Sequence, residues 1–405
     1  MIVFEINSVP YGSTGRIMFQ IADTVESMVG TAYTSASFTK SRGEHFTDTY
    51  YRIGGAVGKT EHIVLAKLTG RHGCYSHFAT YKLIKKIEQV KPDVIHLHNI
   101  HGWYLNWKIL FDFLKKANIP VIWTLHDCWA FTGHCPYFMA IGCDKWKTGC
   151  YECDLYKSYP GCFFDDSRFQ YRYKKECFTG VPDLTIVTPS QWLADLVKQS
   201  YLKGYNTVVI NNGIDLTKFK PRASDFRKKH GLENKIILLG VAFDWSPRKG
   251  IDDFKKLADD LPEEYAIVLV GVSDIVATTL PERIISIACT QNQEELAEIY
   301  SAADIFVNPT LEDNFPTVNI EALACGTPVI TYQTGGSPES LTEQCGRVVS
   351  YKNYKKLKDA ILEMKDAKQS MKQACVERAQ SFGKEDAYRK YVSLYKKVPS
   401  GKALQ

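Results

Sequence analysis

Short apolar runs alternate with longer amphipathic stretches along this chain, and that alternation predicts an α/β fold. IVFEIN (2–7), DVIHLHN (93–99), VIWTL (121–125), LTIVT (184–188), IILLGVAF (236–243), AIVLVGV (266–272) and DIFVN (304–308) are short and nearly continuously apolar. They read as strands of parallel sheets covered on both faces. TAYTSASF (31–38) reads as a further strand, but residues 31–75 otherwise show no firm period. The basic and aromatic side chains there suit a solvated face or, as an alternative, contact with an acceptor or a membrane surface. GSTGRIMFQIADTV (12–25) and RKGIDDFKKLADDL (248–261) carry helical periods.

The stretch 304–336 is the most informative. DIFVN is a strand and TLEDN a polar loop. Pro316 opens a helix where its missing N–H costs nothing, and Gly326 closes it in the left-handed position. Val318, Ile320, Leu323 and Ala324 give that helix a buried face. PVIT is the next strand, and TGG a glycine turn. Asp313 sits at the loop mouth and Glu321 eight residues on, inside the helix. The free N–H groups of Phe315, Thr317 and Val318, with the helix dipole, suit a diphosphate. Asn314 and Pro316 flank Phe315 in the same loop. Glu321 suits ribose hydroxyls, and Asp313 a sugar beyond the phosphates. Capping of the helix by Glu312 and Asp313 is the plainer alternative.

EALACGTPVI (321–330), the Asp313–Glu321 spacing and the GG turn resemble the C-terminal signature of the retaining GT-B glycosyltransferases of family 4. LTIVTPSQW (184–192) and NGID (212–215) resemble that family's passage into its second domain. The resemblance implies two Rossmann-like, doubly wound domains facing across a cleft. It also implies a nucleotide-sugar donor, a glycan or lipid-linked acceptor, and retention at the anomeric carbon. Two departures stand out: Asp313 replaces the usual Glu, and Phe243 replaces an arginine.

On this reading Asp313, Glu321 and His126 are catalytic-site residues, with His126 facing the donor sugar. Gly12 and Gly15 form a glycine loop that lets backbone approach a ligand. Arg248 and Lys249 hold the diphosphate together with residues 314–318, and Cys289 and Thr290 frame the base. Protein charges stand in for a divalent ion, so no cofactor is required for catalysis. The expected domains are 1–205, with a cysteine-rich insertion near 134–162, then 206–375, and a closing helical segment 376–405 that packs back on the first. Surface polysaccharide biosynthesis is the expected setting. A GT-B nucleotide-sugar epimerase and an inactive binding module are the alternatives.

Composition narrows the picture without redirecting it. The 405 residues are 45% hydrophobic and 23% charged, with net charge +5, ordinary for a two-domain globular chain. No run approaches a membrane span, and MIVFEINSVP lacks the features of a signal peptide. A cytoplasmic enzyme is expected, with peripheral contact to the inner membrane face as an option. The mild charge and the absence of a basic stripe argue against nucleic acid.

The twelve cysteines change the picture most. In a reducing compartment they favour metal or packing over disulfides. Cys150-x-x-Cys153 is a zinc half-site that Cys135 and Cys143 would complete, with His134 and Cys162 as substitutes. Structural zinc, free thiols and redox use all remain open at this level. His96, His98 and His101 are close in sequence and read as cleft lining or hydrogen-bonded core before metal ligands.

Overall fold

The computed structural model describes residues 1–39 and 47–397. The chain forms two compact units, residues 1–210 with the chain from Tyr388 onward, and residues 211–387. Part of the 31–75 stretch and the end of the 376–405 segment (398–405) lie outside the described residues.

The first unit holds a seven-stranded sheet. Its strands are β1 (Ile2–Asn7), β2 (Thr31–Ser37), β3 (Tyr50–Ile53), β4 (Val94–Leu97), β5 (Val121–Thr124), β6 (Leu184–Thr188) and β7 (Asn206–Val209), in the order β3-β2-β1-β4-β5-β6-β7. The pairings are parallel, with Val3 of β1 opposite Ala32 on one side and Val94 on the other. The second unit holds β8 (Ile236–Val241), β9 (Tyr265–Val270), β10 (Ile284–Ile287), β11 (Ile305–Asn308), β12 (Val329–Tyr332) and β13 (Gly346–Val349), in the order β10-β9-β8-β11-β12-β13. Both orders reverse direction once, between β1 and β4 and between β8 and β11. That is the doubly wound topology, and its reversal point is where open parallel sheets bind ligands.

The strand composition follows from this layering. Central β4, β5, β6, β9, β11 and β12 are buried along their whole length, whereas edge strands β3, β7, β10 and β13 have exposed positions. Within β8, Ile237 and Leu239 enter one apolar core and Leu238 the other, as period-two alternation requires. The helix Ile251–Asp260 buries Ile251, Phe254, Leu257 and Ala258, one stripe at helical spacing.

Two sequence expectations shift. The boundary lies after Ile210 rather than near 205, because residues 206–209 pair with β6 as β7. The glycine-rich 50–75 region, unreadable by period, contains β3 and the helix Ala56–Thr69. That helix buries only His62 and Ala66, too little to leave an apolar stripe.

Candidate active site

In the second unit, the loops leaving β8 and β11 meet at the reversal point. A single 3-10 turn, Pro247–Lys249, follows β8. Gly250 then takes φ +80°, and a Cβ there would sit 2.3 Å from the Pro309 carbonyl oxygen. Glycine is therefore required for the basic pair to pack on the end of β11. Lys249 Nζ donates to Asp313 Oδ2 at 2.5 Å, and Arg248 Nη1 to the Glu312 carbonyl at 3.0 Å. The Leu311 N–H and the Thr310 hydroxyl both donate to the Arg248 carbonyl. The two loops are thus stitched together by side chain and backbone.

The glycine turn after β12 supports the same loop from below. Gly335 has φ +54°, and a Cβ there would fall 1.8 Å from the Asp313 carbonyl oxygen. The Gly336 N–H donates to that oxygen at 3.2 Å, and the Thr334 hydroxyl to Leu311 at 2.9 Å. Asn319 binds Asn308 Oδ1-to-Nδ2 at 2.7 Å and donates to Ser337 and Ser340, tying the helix Thr317–Ala324 to its neighbours. Pro316 is the N-cap of this helix and makes no side-chain capping bond. Gly326 takes φ +79° just past its end, as expected.

The expected donor-binding residues divide. Asp313, Lys249 and Arg248 come together, with Lys249 paired to the Asp313 carboxylate and Arg248 to the Glu312 carbonyl. Phe315 is buried and packs on Phe382 at 5.7 Å, so only its backbone is available to a ligand. Asn314 and Pro316 are buried, while Thr317 and Val318 are half-buried. Glu321 is half-buried and accepts from the Tyr300 hydroxyl at 3.1 Å, a partner that the sequence reading missed. Cys289 is exposed and Thr290 half-buried after edge strand β10, which β9 separates from β8. Phe243 is fully exposed.

In the first unit, the reversal point is filled by a buried hydrogen-bond chain. Glu5 on β1 and His98 after β4 are both fully buried, with Glu5 Oε2 3.0 Å from His98 Nε2. His98 Nδ1 lies 3.1 Å from His126 Nε2. Burial raises the Glu5 carboxyl well above its usual range and holds His98 well below its own. Burial thus favours the neutral form of both. A neutral Glu5 has one proton to give, and its other oxygen has no partner. Hydrogen bonds thus link Glu5 Oε2, both ring nitrogens of His98 and His126 Nε2 in one chain. Burial lowers the His126 pKa to about 4, so it stays neutral near pH 7. Glu5 was legible only as a charge inside an apolar strand run.

His96 and His101, the other two histidines of the 96–101 cluster, are hydrogen-bonded. His96 meets Thr124 Oγ1 at 2.8 Å and the Tyr395 hydroxyl at 2.7 Å, and His101 meets Asp127 and Tyr159. Glu5, His96 and His98 bring ligand atoms within 4.8 Å, but the partners just named already occupy their nitrogens. Gly12 has φ +69° with open space at its Cβ position. Gly15 instead packs on its own loop, with a Cβ 2.7 Å from the Pro10 carbonyl carbon. Its role is helix–loop packing rather than ligand approach. Asn7 braces this loop by donating to Val9 O and Thr14 Oγ1 and accepting from the Asn99 N–H.

In the cysteine insertion, Cys135, Cys143, Cys150 and Cys153 line one small cavity, and Cys150 Sγ accepts from the Gly133 N–H at 3.1 Å. Cys143 packs against the edge of the same core.

Each unit is thus a doubly wound parallel sheet with polar groups gathered at its reversal point. Residues 48–218 match the family described as Glycosyltransferase Family 4, and residues 223–382 match Glycosyl transferases group 1. The chain belongs to the family-4 GT-B glycosyltransferases. It is 27% identical over 266 residues to the putative colanic acid biosynthesis glycosyl transferase WcaC of Escherichia coli K12. That match covers 64% of each chain, so it spans just under two thirds of the relative's length. Among solved structures, sucrose-phosphate synthase from Thermosynechococcus elongatus superposes with TM-score 0.70 at 19% identity, covering 98% of both chains. Anabaena HepE in complex with UDP and glucose gives TM-score 0.66 at 15% identity, covering 98% of this chain and 99% of that one. These similarities establish the GT-B fold.

Proposed function

We propose that this protein transfers a sugar from a nucleotide-sugar donor to a glycan or lipid-linked acceptor, with retention of configuration, in the assembly of a surface polysaccharide. The observation that carries this reading is the convergence of Lys249, Arg248 and Asp313 at the β8–β11 reversal point, buttressed by Gly250 and Gly335. The colanic acid assignment in the name of the relative from E. coli supports the setting, and the UDP and glucose in the HepE complex support the donor class.

A donor diphosphate entering this loop would compete with Asp313 for Lys249 and release the carboxylate toward the sugar. Arg248, Lys249 and the backbone N–H groups opening the helix at Thr317 then stabilise the departing diphosphate. In the retaining front-face route, that leaving group itself takes the proton from the acceptor hydroxyl, so no strong protein base is needed. A neutral His126 suits a hydrogen bond to a sugar oxygen. Glu321 suits the ribose hydroxyls, oriented by Tyr300. Among the described residues no helix is long and apolar enough to cross a membrane; a lipid-linked acceptor would be met by peripheral contact.

A thermal-shift series with UDP, GDP, ADP and their sugars tests the reading. A selective, concentration-dependent rise in melting temperature with one nucleotide is expected. Transfer assays with that donor follow, with the anomeric configuration of the product read by NMR. No shift with any nucleotide, or donor turnover without an acceptor, overturns the transferase reading.

A further inference from the structure

The stretch between β5 and the helix Ser167–Phe178 has almost no regular structure of its own. It contains three single 3-10 turns, at Trp129–Phe131, Met139–Ile141 and Lys145–Lys147. A loop of this length with so few backbone ladders needs something else to hold its shape. Part of the answer is a small aromatic cluster, in which Trp146 packs on Phe131 and Phe138 at 5.1 Å each. Beside it lies a cavity of about 20 Å³ lined by Cys135, Cys143, Cys150 and Cys153. A volume of roughly 10–15 Å³ already admits one water-sized particle.

The helix Ser167–Phe178 pins the start of this stretch. Lys174, on that helix, is fully buried. Its Nζ donates to the carbonyls of Trp129 and Thr132 at 2.8 and 3.2 Å and lies 3.5 Å from the Trp129 ring centroid. Asp127, Cys135 and Cys150 lie within its electrostatic reach. Four cysteine thiolates can hold one divalent ion tetrahedrally. The Gly133 N–H aimed at Cys150 Sγ, and the Asp165 carboxylate accepting from the Cys153 N–H at 2.8 Å, are the outer contacts that orient such ligands.

We propose that Cys135, Cys143, Cys150 and Cys153, which line one small cavity, bind a structural zinc ion that staples this insertion. A second set nearby, His72, His134 and Cys162, has ligand atoms within 4.8 Å of one another, closer than the cysteine sulfurs gather. Its hydrogen bonds oppose ligation. His72 Nδ1 accepts from the Trp103 indole at 3.1 Å, so the neutral ring carries its proton on Nε2. The Cys162 thiol donates to backbone carbonyls of Tyr156 and Phe164. Four thiolates with no open position are a structural rather than a catalytic set.

The test is metal analysis of the full chain expressed with zinc and purified under reducing conditions. The wild-type chain is expected to carry about one zinc, and Cys150→Ser/Cys153→Ser less than about a tenth of that, while His72→Gln keeps its metal. Because the double variant can fail to fold, cobalt(II) is also added to the metal-stripped, reduced wild-type chain. Thiolate-to-cobalt charge transfer with tetrahedral d–d bands is expected. Absence of zinc together with absence of that spectrum overturns the proposal. Loss of metal in His72→Gln but not in the cysteine variant also overturns it, and moves the ion to the histidine set.

Discussion

The two units share one strand order up to the extra strand β7, and each collects polar groups at its reversal point, but they hold those groups in opposite ways. In the first unit, Glu5 and His98 are sealed from solvent and burial drives both to their neutral forms. In the second, Lys249 and Asp313 form a salt bridge between loops, with side chains 23% and 19% exposed. Topology decides where polar residues gather, while solvent access decides whether they carry charge. The first arrangement suits a fixed donor of hydrogen bonds. The second suits an exchangeable grip on an anion, since a partly solvated pair is cheap to open. The histidines follow the same division: nine of the ten precede residue 135, and only His230 lies in the second unit.

The largest effect expected from breaking this comparison is catalytic. Glu321→Ala and Asp313→Ala should each lower kcat by roughly 10²–10³-fold with the fold intact by circular dichroism. Near-normal turnover in both variants would show that the second reversal point is not the reacting site.

Next is Glu5, where the chemistry of the change matters more than its size. Glu5→Ala leaves buried His98 without its partner and should cost about 2–4 kcal/mol in denaturant unfolding. Glu5→Gln keeps a neutral group of the same shape and should cost less than about 1 kcal/mol. An equally large loss in both would mean that Glu5 is charged in the fold.

Acid separates the units. Burial lowers His62 and His96 to about 3 and His126 to about 4, from ordinary values near 6.5. The unfolded chain therefore takes up these protons first. Stability is full above about pH 6.5 and is lost as pH falls toward 4, by roughly 1–2 kcal/mol per histidine at pH 5. Calorimetry at pH 7 and pH 5 should show the first unit's transition moving down further than the second's. Equal movement of both would contradict the assignment.

The smallest effect on stability is Lys249→Met. Opening a partly exposed pair should cost less than about 1 kcal/mol, while nucleotide affinity by calorimetric titration falls about tenfold. A stability loss well above that, with unchanged affinity, would make the pair a structural tie instead of a ligand site.

Much of the fold was legible because its causes are local. Continuous apolar runs mark strands covered on both faces, and helical spacing marks Ile251–Asp260. Gly326 at positive φ ends a helix by a rule that involves only its neighbours. The family signature at 321–330 located the second reversal point for the same reason, since it is one unbroken segment. The close packing of Gly15 on its own loop was not legible, because spacing does not reveal such a contact. The first-unit boundary was misplaced because β7 is an edge strand with half-exposed residues and a weak pattern.

By itself, then, the amino-acid order determined two α/β halves, the acid loop and the cysteine cluster. The tertiary structure decided their electrostatics. Glu5 meets His98 across 93 residues, Lys249 meets Asp313 across 64, and Lys174 reaches the carbonyls of Trp129 and Thr132 from another element. Charge state depends on burial and on partners brought together by folding, and neither is encoded in any short stretch of chain.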